Sequence, residues 1–175
     1  RYLIQANFRR DGSSFFAADS RWANFPSFSA GWVLSEEQFM KDLNLDWLSY
    51  LKLRGSWGTL GNERITDVTN EDDPNKQNYY PYQSAIIFGS SLFYKGNAAT
   101  SLTTGAQQAY AVRDITWETT ETWDVGLDAQ FLDSRLTFAF DYYQKHTRDM
   151  LIATEIPSFI GYDNPYVNAG RMDTK

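Results

Sequence analysis

An all-β fold, and within that class a segment of a large antiparallel transmembrane β-barrel, is what this sequence predicts. Three observations carry it: period-two alternation of apolar and polar residues, strands longer than usual, and connections that are short at one end and long at the other. The clearest pair of strands spans 117–131 and 135–146. From Trp123 to Phe131 the odd positions are apolar (Trp123, Val125, Leu127, Ala129, Phe131), and Asp124, Gly126, Asp128 and Gln130 lie between them. Beyond Leu132-Asp133-Ser134-Arg135 the apolar set moves to even positions, with Leu136, Phe138, Phe140 and Tyr142. Strand side chains alternate faces, so each arm has one greasy and one wet side.

The change of parity specifies the pairing. A tight turn centred on Asp133 and Ser134 sets Phe131 opposite Leu136, Ala129 opposite Phe138, Leu127 opposite Phe140 and Val125 opposite Tyr142. Both greasy rows then share one side, and a slip of one residue would separate them. The turn lacks the Asn-Gly or Asp-Gly pair that defines its type. Arms of about 9–11 residues suit a bilayer crossing and exceed the usual strand of about 5–6. A short turn at one end with long connections at the other is the outer-membrane barrel pattern. Val125, Leu127, Phe131, Leu136, Phe138 and Phe140 are therefore expected to face lipid, and Asp124, Asp128, Arg135, Asp141 and Lys145 the lumen.

The remaining elements follow in chain order. Residues 2–10 alternate, with Tyr2, Ile4, Ala6 and Phe8 on one face, before the turn chemistry of Arg10-Asp11-Gly12-Ser13-Ser14. A second strand over 25–34 carries Phe28, Ala30, Trp32 and Leu34, with Pro26 near its start. Ser35-Glu36-Glu37-Gln38 has the form of a helix-opening capping box, and a short helical turn down to Asn44 follows. A third strand over 50–58 alternates Leu51, Leu53, Gly55 and Trp57 with Lys52, Arg54 and Ser56. Residues 62–115 lack a long period and read as a variable loop. Within it, the patches Ile86-Ile87-Phe88 and Leu92-Phe93-Tyr94 suggest an excursion hairpin, and Gly96 to Gln108, small and polar, reads as loop. Thr147 to Met172 reads as another loop, with a further strand beginning near Asn168-Ala169-Gly170.

The 175 residues begin at Arg1 inside a strand pattern and end at Lys175 without a terminating signal, so a piece of a longer polypeptide is expected. A formal charge of −6 with no dominant basic patch argues against a nucleic-acid partner. The absence of Cys excludes disulfides and thiolate metal sites. No run of about 18 apolar residues offers a spanning helix, which leaves barrel strands untouched. Six Trp, eleven Tyr and twelve Phe are a surplus that interfacial girdles would use; a carbohydrate-binding surface or an aromatic β core would use it too.

Candidate sites are few. His146 has no nucleophile or metal cluster beside it in sequence and reads as a surface or loop residue. Glu71, Asp72 and Asp73 offer oxygen ligands for Ca²⁺, at a spacing that matches no EF-hand loop. Apart from that Ca²⁺ reading, no cofactor is expected. Asp124, Asp128 and Asp141 read as the charged wall of a lumen rather than as a glycosidase carboxylate pair, and no enzyme is expected. Trp22, Tyr79, Tyr80, Tyr82, Phe93 and Tyr94 lie in connections, where rings stack on sugars, anchor a partner, or pack between long loops.

Several motifs occur together in order. Arg9-Arg10-Asp11-Gly12-Ser13-Ser14 precedes Arg21-Trp22, Phe25-Pro26-Ser27-Phe28-Ser29-Ala30-Gly31-Trp32 and Ser35-Glu36-Glu37. Leu51-Lys52-Leu53-Arg54-Gly55-Ser56-Trp57-Gly58 with Gly61-Asn62, then Ile115-Thr116-Trp117-Glu118-Thr119-Thr120 and Asp141-Tyr142-Tyr143 with Lys145, complete the set. Together these resemble the barrel of SusC/RagA-type TonB-dependent outer-membrane transporters, over most of the chain apart from 66–113. The resemblance implies a late portion of a 22-stranded, plugged barrel, with 1–175 a partial barrel domain that lacks the plug. It also implies TonB-energised uptake of oligosaccharides or peptides across the outer membrane of a Bacteroidota-type bacterium. The partners implied are a SusD-like lipoprotein, TonB acting through an N-terminal part, and the bilayer. The alternative reading is a soluble β-sandwich that binds glycans, since alternation alone does not distinguish lipid from a protein core.

Overall fold

The computed structural model describes residues 1–64, 80–107, 110–162 and 164–175. Among these, eight strands occur: β1 (Tyr2–Gly12), β2 (Trp22–Val33), β3 (Leu48–Asn62), β4 (Ile86–Lys95), β5 (Ala98–Gln107), β6 (Glu118–Phe131), β7 (Leu136–Ala153) and β8 (Tyr166–Thr174). Six of them form one antiparallel sheet in the order β1-β2-β3-β6-β7-β8, while β4 and β5 pair only with each other. The six-stranded sheet is open, a meander interrupted between β3 and β6 by the separate hairpin.

Register aligns the alternation across strands. One ladder runs Tyr2–Trp32–Leu53–Leu127–Phe140 and the next of that parity Ile4–Ala30–Gly55–Val125–Tyr142. The ladders between them run Leu3–Gly31–Arg54–Gly126–Asp141 and Gln5–Ser29–Ser56–Asp124–Tyr143. One face of the sheet is therefore greasy over five strands, and the other is mostly polar. Among the described residues no second layer covers the greasy face: Ile4 is 85%, Phe140 55% and Val125 51% exposed. A water-soluble sandwich packs such a face against a second sheet, and among the described residues none lies on it.

The β6–β7 pairing follows the register read from parity, from Phe131 opposite Leu136 to Val125 opposite Tyr142. Asp133 and Ser134, the central pair of the turn closed by the Arg135 N–H on the Leu132 carbonyl, have φ of 54° and 65°, the signs of a type I′ turn. Leu132 is left-handed as well, and outside bonds hold the strained turn: its N–H donates to the Trp47 carbonyl, and the Ser134 N–H to Ser49 Oγ.

Burial concentrates at the opposite end, where the long connections meet. Phe16, Phe25, Ile115, Trp117 and Tyr166 form a small core. The Trp117 ring lies 5.4 Å from Phe16 and 5.6 Å from Phe25, and its indole donates to the Arg21 carbonyl. The Asn168 side chain accepts from the Thr116 N–H and donates to the carbonyls of Thr116 and Asp149, tying β8 to the entry of β6. Gly61 is required here, because a Cβ on it would fall 2.0 Å from the Phe25 ring.

Several elements differ from the sequence reading. Gly96 to Gln108 is no loop: Ala98–Gln107 is β5, and both apolar patches sit on its partner β4, joined to it through Gly96. β7 runs on to Ala153, so His146 lies within a strand, and β8 begins at Tyr166. β1 and β2 stay paired as far as Gly12 and Trp22, which moves the turn later. No side-chain cap opens the helix α1 (Gln38–Asp42): Ser35, the expected cap, lies inside a 3-10 turn over Leu34–Glu36, and α1 starts only after Glu37.

Candidate functional site

On the polar face, Arg54 of β3 is the hub. Its guanidinium lies 2.6 Å from Asp141 on β7, 3.2 Å from Asp128 and 3.8 Å from Asp124, the last two both on β6. It reaches β7 because the residue between them in the ladder is Gly126, where a Cβ would stand 2.7 Å from Arg54 Cζ and 2.6 Å from Asp141 Oδ1. One cation against three carboxylates leaves the patch formally at −2. All four side chains are partly open to solvent, so the cluster is a hydrated brace across three strands. Carboxylates engaged in this way brace the three strands against one another.

Of the five residues expected on the wet wall, Asp124, Asp128, Asp141 and Lys145 lie on the polar face, Lys145 opposite Thr122. Arg135 does not. It closes the turn, past the end of the wall, because the connection takes four residues and β7 starts at Leu136. Val125, Leu127, Phe131, Leu136, Phe138 and Phe140 share the greasy face.

The greasy face ends in tryptophans held by carboxylates. Toward the short turn, the Trp32 indole donates to Glu37 at 3.1 Å. Donation from Trp32 and then from the Tyr2 hydroxyl, helped by Arg1, holds the Glu37 carboxyl below its ordinary range. Toward the long connections, Trp57 donates to Glu121 at 2.8 Å, and Arg148 grips the other oxygen of Glu121 at 2.8 Å. Along β6 the apolar row from Trp123 to Phe131 covers about 27 Å of strand, or about 20 Å along an axis tilted at about 40°. An apolar band with amphipathic rings at both rims is the profile that a bilayer selects.

The expected aromatics divide. Trp22 is not in a connection: it opens β2, stacked over Gly12, with the Arg10 guanidinium 5.3 Å from its ring. Phe93 and Tyr94 likewise belong to a strand, β4, where both are exposed. Tyr80 and Tyr82 lie in the connection before β4, with rings edge-on at 6.3 Å. Tyr79 and the acidic trio Glu71, Asp72 and Asp73 fall outside the described residues. His146 Nδ1 sits 2.6 Å from Asp173 on β8. Sequence reading passed over Arg54, Gly126, Glu37 and Glu121. Pairing across strands brings Arg54, Gly126 and Glu121 to their partners, while Glu37 meets Trp32 five residues back in the chain; the one signal available was a charged residue and a glycine on wet rows.

Comparison with known proteins accords with this geometry. The family model described as TonB dependent receptor-like, beta-barrel matches residues 1–175. The TonB-dependent receptor SusC of Bacteroides thetaiotaomicron is 38% identical over 157 residues, covering 90% of this chain and 14% of that protein. The TonB-dependent receptor P39 of Formosa agariphila is 35% identical over 178 residues, covering 100% of this chain and 15% of the relative. Among solved structures, the RagAB peptide transporter superposes with a TM-score of 0.73 at 27% identity, over 98% of this chain and 17% of that one. The chain thus spans about one-sixth of the length of the relatives it matches.

Proposed function

This chain belongs to the TonB-dependent receptor β-barrel family, and on that premise we propose that its whole protein is an outer-membrane importer. It takes up oligosaccharides or peptides, drawing energy from TonB, under a SusD-like lipoprotein lid. The family is one of transporters and receptors rather than enzymes. The observation that carries the reading is the uncovered greasy face, five strands wide and backed by a charged one. In hydrocarbon such a face is at home, and closure into a barrel satisfies every backbone group.

In this reading Val125, Leu127, Phe131, Leu136, Phe138 and Phe140 touch lipid, while Asp124, Asp128, Asp141, Lys145 and Arg54 line the lumen. The exposed rings of Tyr80, Phe93 and Tyr94, with Tyr82 beside Tyr80, lie on the excursion at the long-connection end, where a lid or substrate approaches. RagAB is described as a peptide transporter, which supports peptides as one substrate class.

The test is expression of the full-length protein, followed by outer-membrane fractionation, comparison of heated and unheated gel migration, and uptake of labelled oligosaccharides and peptides with TonB present or deleted. TonB-dependent uptake by a heat-modifiable outer-membrane protein is expected. A freely soluble monomer would overturn the reading.

A further inference from the structure

Beyond the rim tryptophans the greasy face carries charge. The even-numbered row of β7 that holds Phe138, Phe140 and Tyr142 continues through His146 to Arg148. The β7–β8 pairing passes from Thr147–Met172 to Met150–Gly170, so Arg148 and Asp149 together oppose the single residue Arg171. Asp149, at φ 57°, is the extra residue of this bulge. The backbones of the two arginines thus come side by side on neighbouring strands. Their side chains are 55% and 70% exposed, and each is engaged through a single Nη2: Arg148 with Glu121, and Arg171 with Asp173 at 3.5 Å. A guanidinium has five N–H donors, so both forks keep solvent-accessible donors beyond these two contacts.

Their depth is set by contact. Arg148 reaches back to Glu121, the same carboxylate that holds the Trp57 indole, and Glu121 lies two residues past Trp123 on β6. Two residues are about 7 Å of strand, or about 5 Å along a tilted axis. The headgroup layer beyond the hydrocarbon is about 5–7 Å thick on each side. The guanidinium of Arg148 falls within that layer, at the end bearing the long connections.

We infer that Arg148 and Arg171 form a clamp on the outer wall of the barrel for the phosphate of a lipid headgroup. The inference rests on the lipid-facing reading above. Planar, fixed-charge forks match phosphate oxygens. Glu121 and Asp173 orient the two forks, Asp173 being held in turn by His146 Nδ1 at 2.6 Å.

The test uses the full-length protein purified in mild detergent and incubated with mixed micelles of phosphatidylglycerol and a neutral, phosphate-free glycolipid. Retained lipid is then measured by mass spectrometry and phosphorus assay. Wild type should retain phosphatidylglycerol selectively; R148Q/R171Q should lose at least about fivefold of it, while Lys145→Gln on the polar face retains it. Raising salt from about 0.1 M to about 1 M, which shortens the screening length from about 10 Å to about 3 Å, should strip the phospholipid from wild type even if the double variant fails to assemble. Equal retention by wild type and the double variant, retention insensitive to salt, or preference for the glycolipid would overturn the clamp. If the lipid-facing reading itself is wrong, wild-type protein will fail to float with membranes, whatever its lipid selectivity.

Discussion

Leu127→Arg is the sharpest probe of which medium meets the greasy face. Leu127 lies four residues from Trp123 and four from Phe131, about 10 Å along the axis from either rim, and pairs with Phe140. At that depth an arginine facing lipid costs about 2–4 kcal/mol. Each 1.36 kcal/mol is tenfold, so the folded-to-unfolded ratio should fall about 30- to 900-fold. The matched control is Tyr143→Arg. Tyr143 lies opposite Asp124 on the polar face, beside a cluster already short of positive charge, so its replacement should change stability by less than about 1 kcal/mol. Urea titration of the full-length protein in lipid vesicles, read by the gel shift between folded and unfolded barrel, measures both. Equal losses in the two variants, or an unaffected Leu127→Arg, would refute the face assignment.

Other consequences can be measured in the same assay. Gly126→Ala sets a Cβ 2.6 Å from Asp141 Oδ1 and 2.7 Å from Arg54 Cζ. Both atoms are ends of flexible, partly exposed side chains, so the cost should be about 1 kcal/mol through the displaced ion pair, and should vanish in an R54A/D141A background. Gly61→Ala meets the Phe25 ring at 2.0 Å and should cost about 1–3 kcal/mol, as overpacking does, with relief in a Phe25→Ala background. Because the Glu37 carboxyl is held below its ordinary value of 4.5, its anchoring of Trp32 is fully present above that value and is lost as pH falls through the depressed pKa. Glu37→Gln should abolish this acid-side change in stability, and an unaltered pH profile would contradict it.

Much of the sheet was legible because one face carries nearly all the apolar weight. The parity switch across Leu132–Arg135 specifies the β6–β7 register in the sequence itself, since a one-residue slip would put Phe131 and Leu136 on opposite sides. Where both faces are exposed, the signal disappears. β5, Ala98–Gln107, is built of Ala, Thr, Ser and Gly apart from Leu102 and Gln107, with no side to favour, so its composition reads as loop. The end of β7 was hidden differently: the extra residue at Asp149 breaks the alternation that had traced the strand. Trp22 looked like a loop ring because its strand partner, Gly12, sits in turn-like sequence. The Arg54 hub needed residues 54, 124, 128 and 141 to be neighbours, which pairing supplies and linear pattern does not.

That hub has an uneven tolerance for mutational drift. Replace any one aspartate by asparagine and Arg54 keeps two anionic neighbours, so each acid is individually expendable. Replace Arg54 first and three like charges crowd one patch of wall with nothing to reconcile them. Descendants of this sequence would therefore shed acids before the base, and a homologue lacking arginine at this point should already have neutralised at least one of the three.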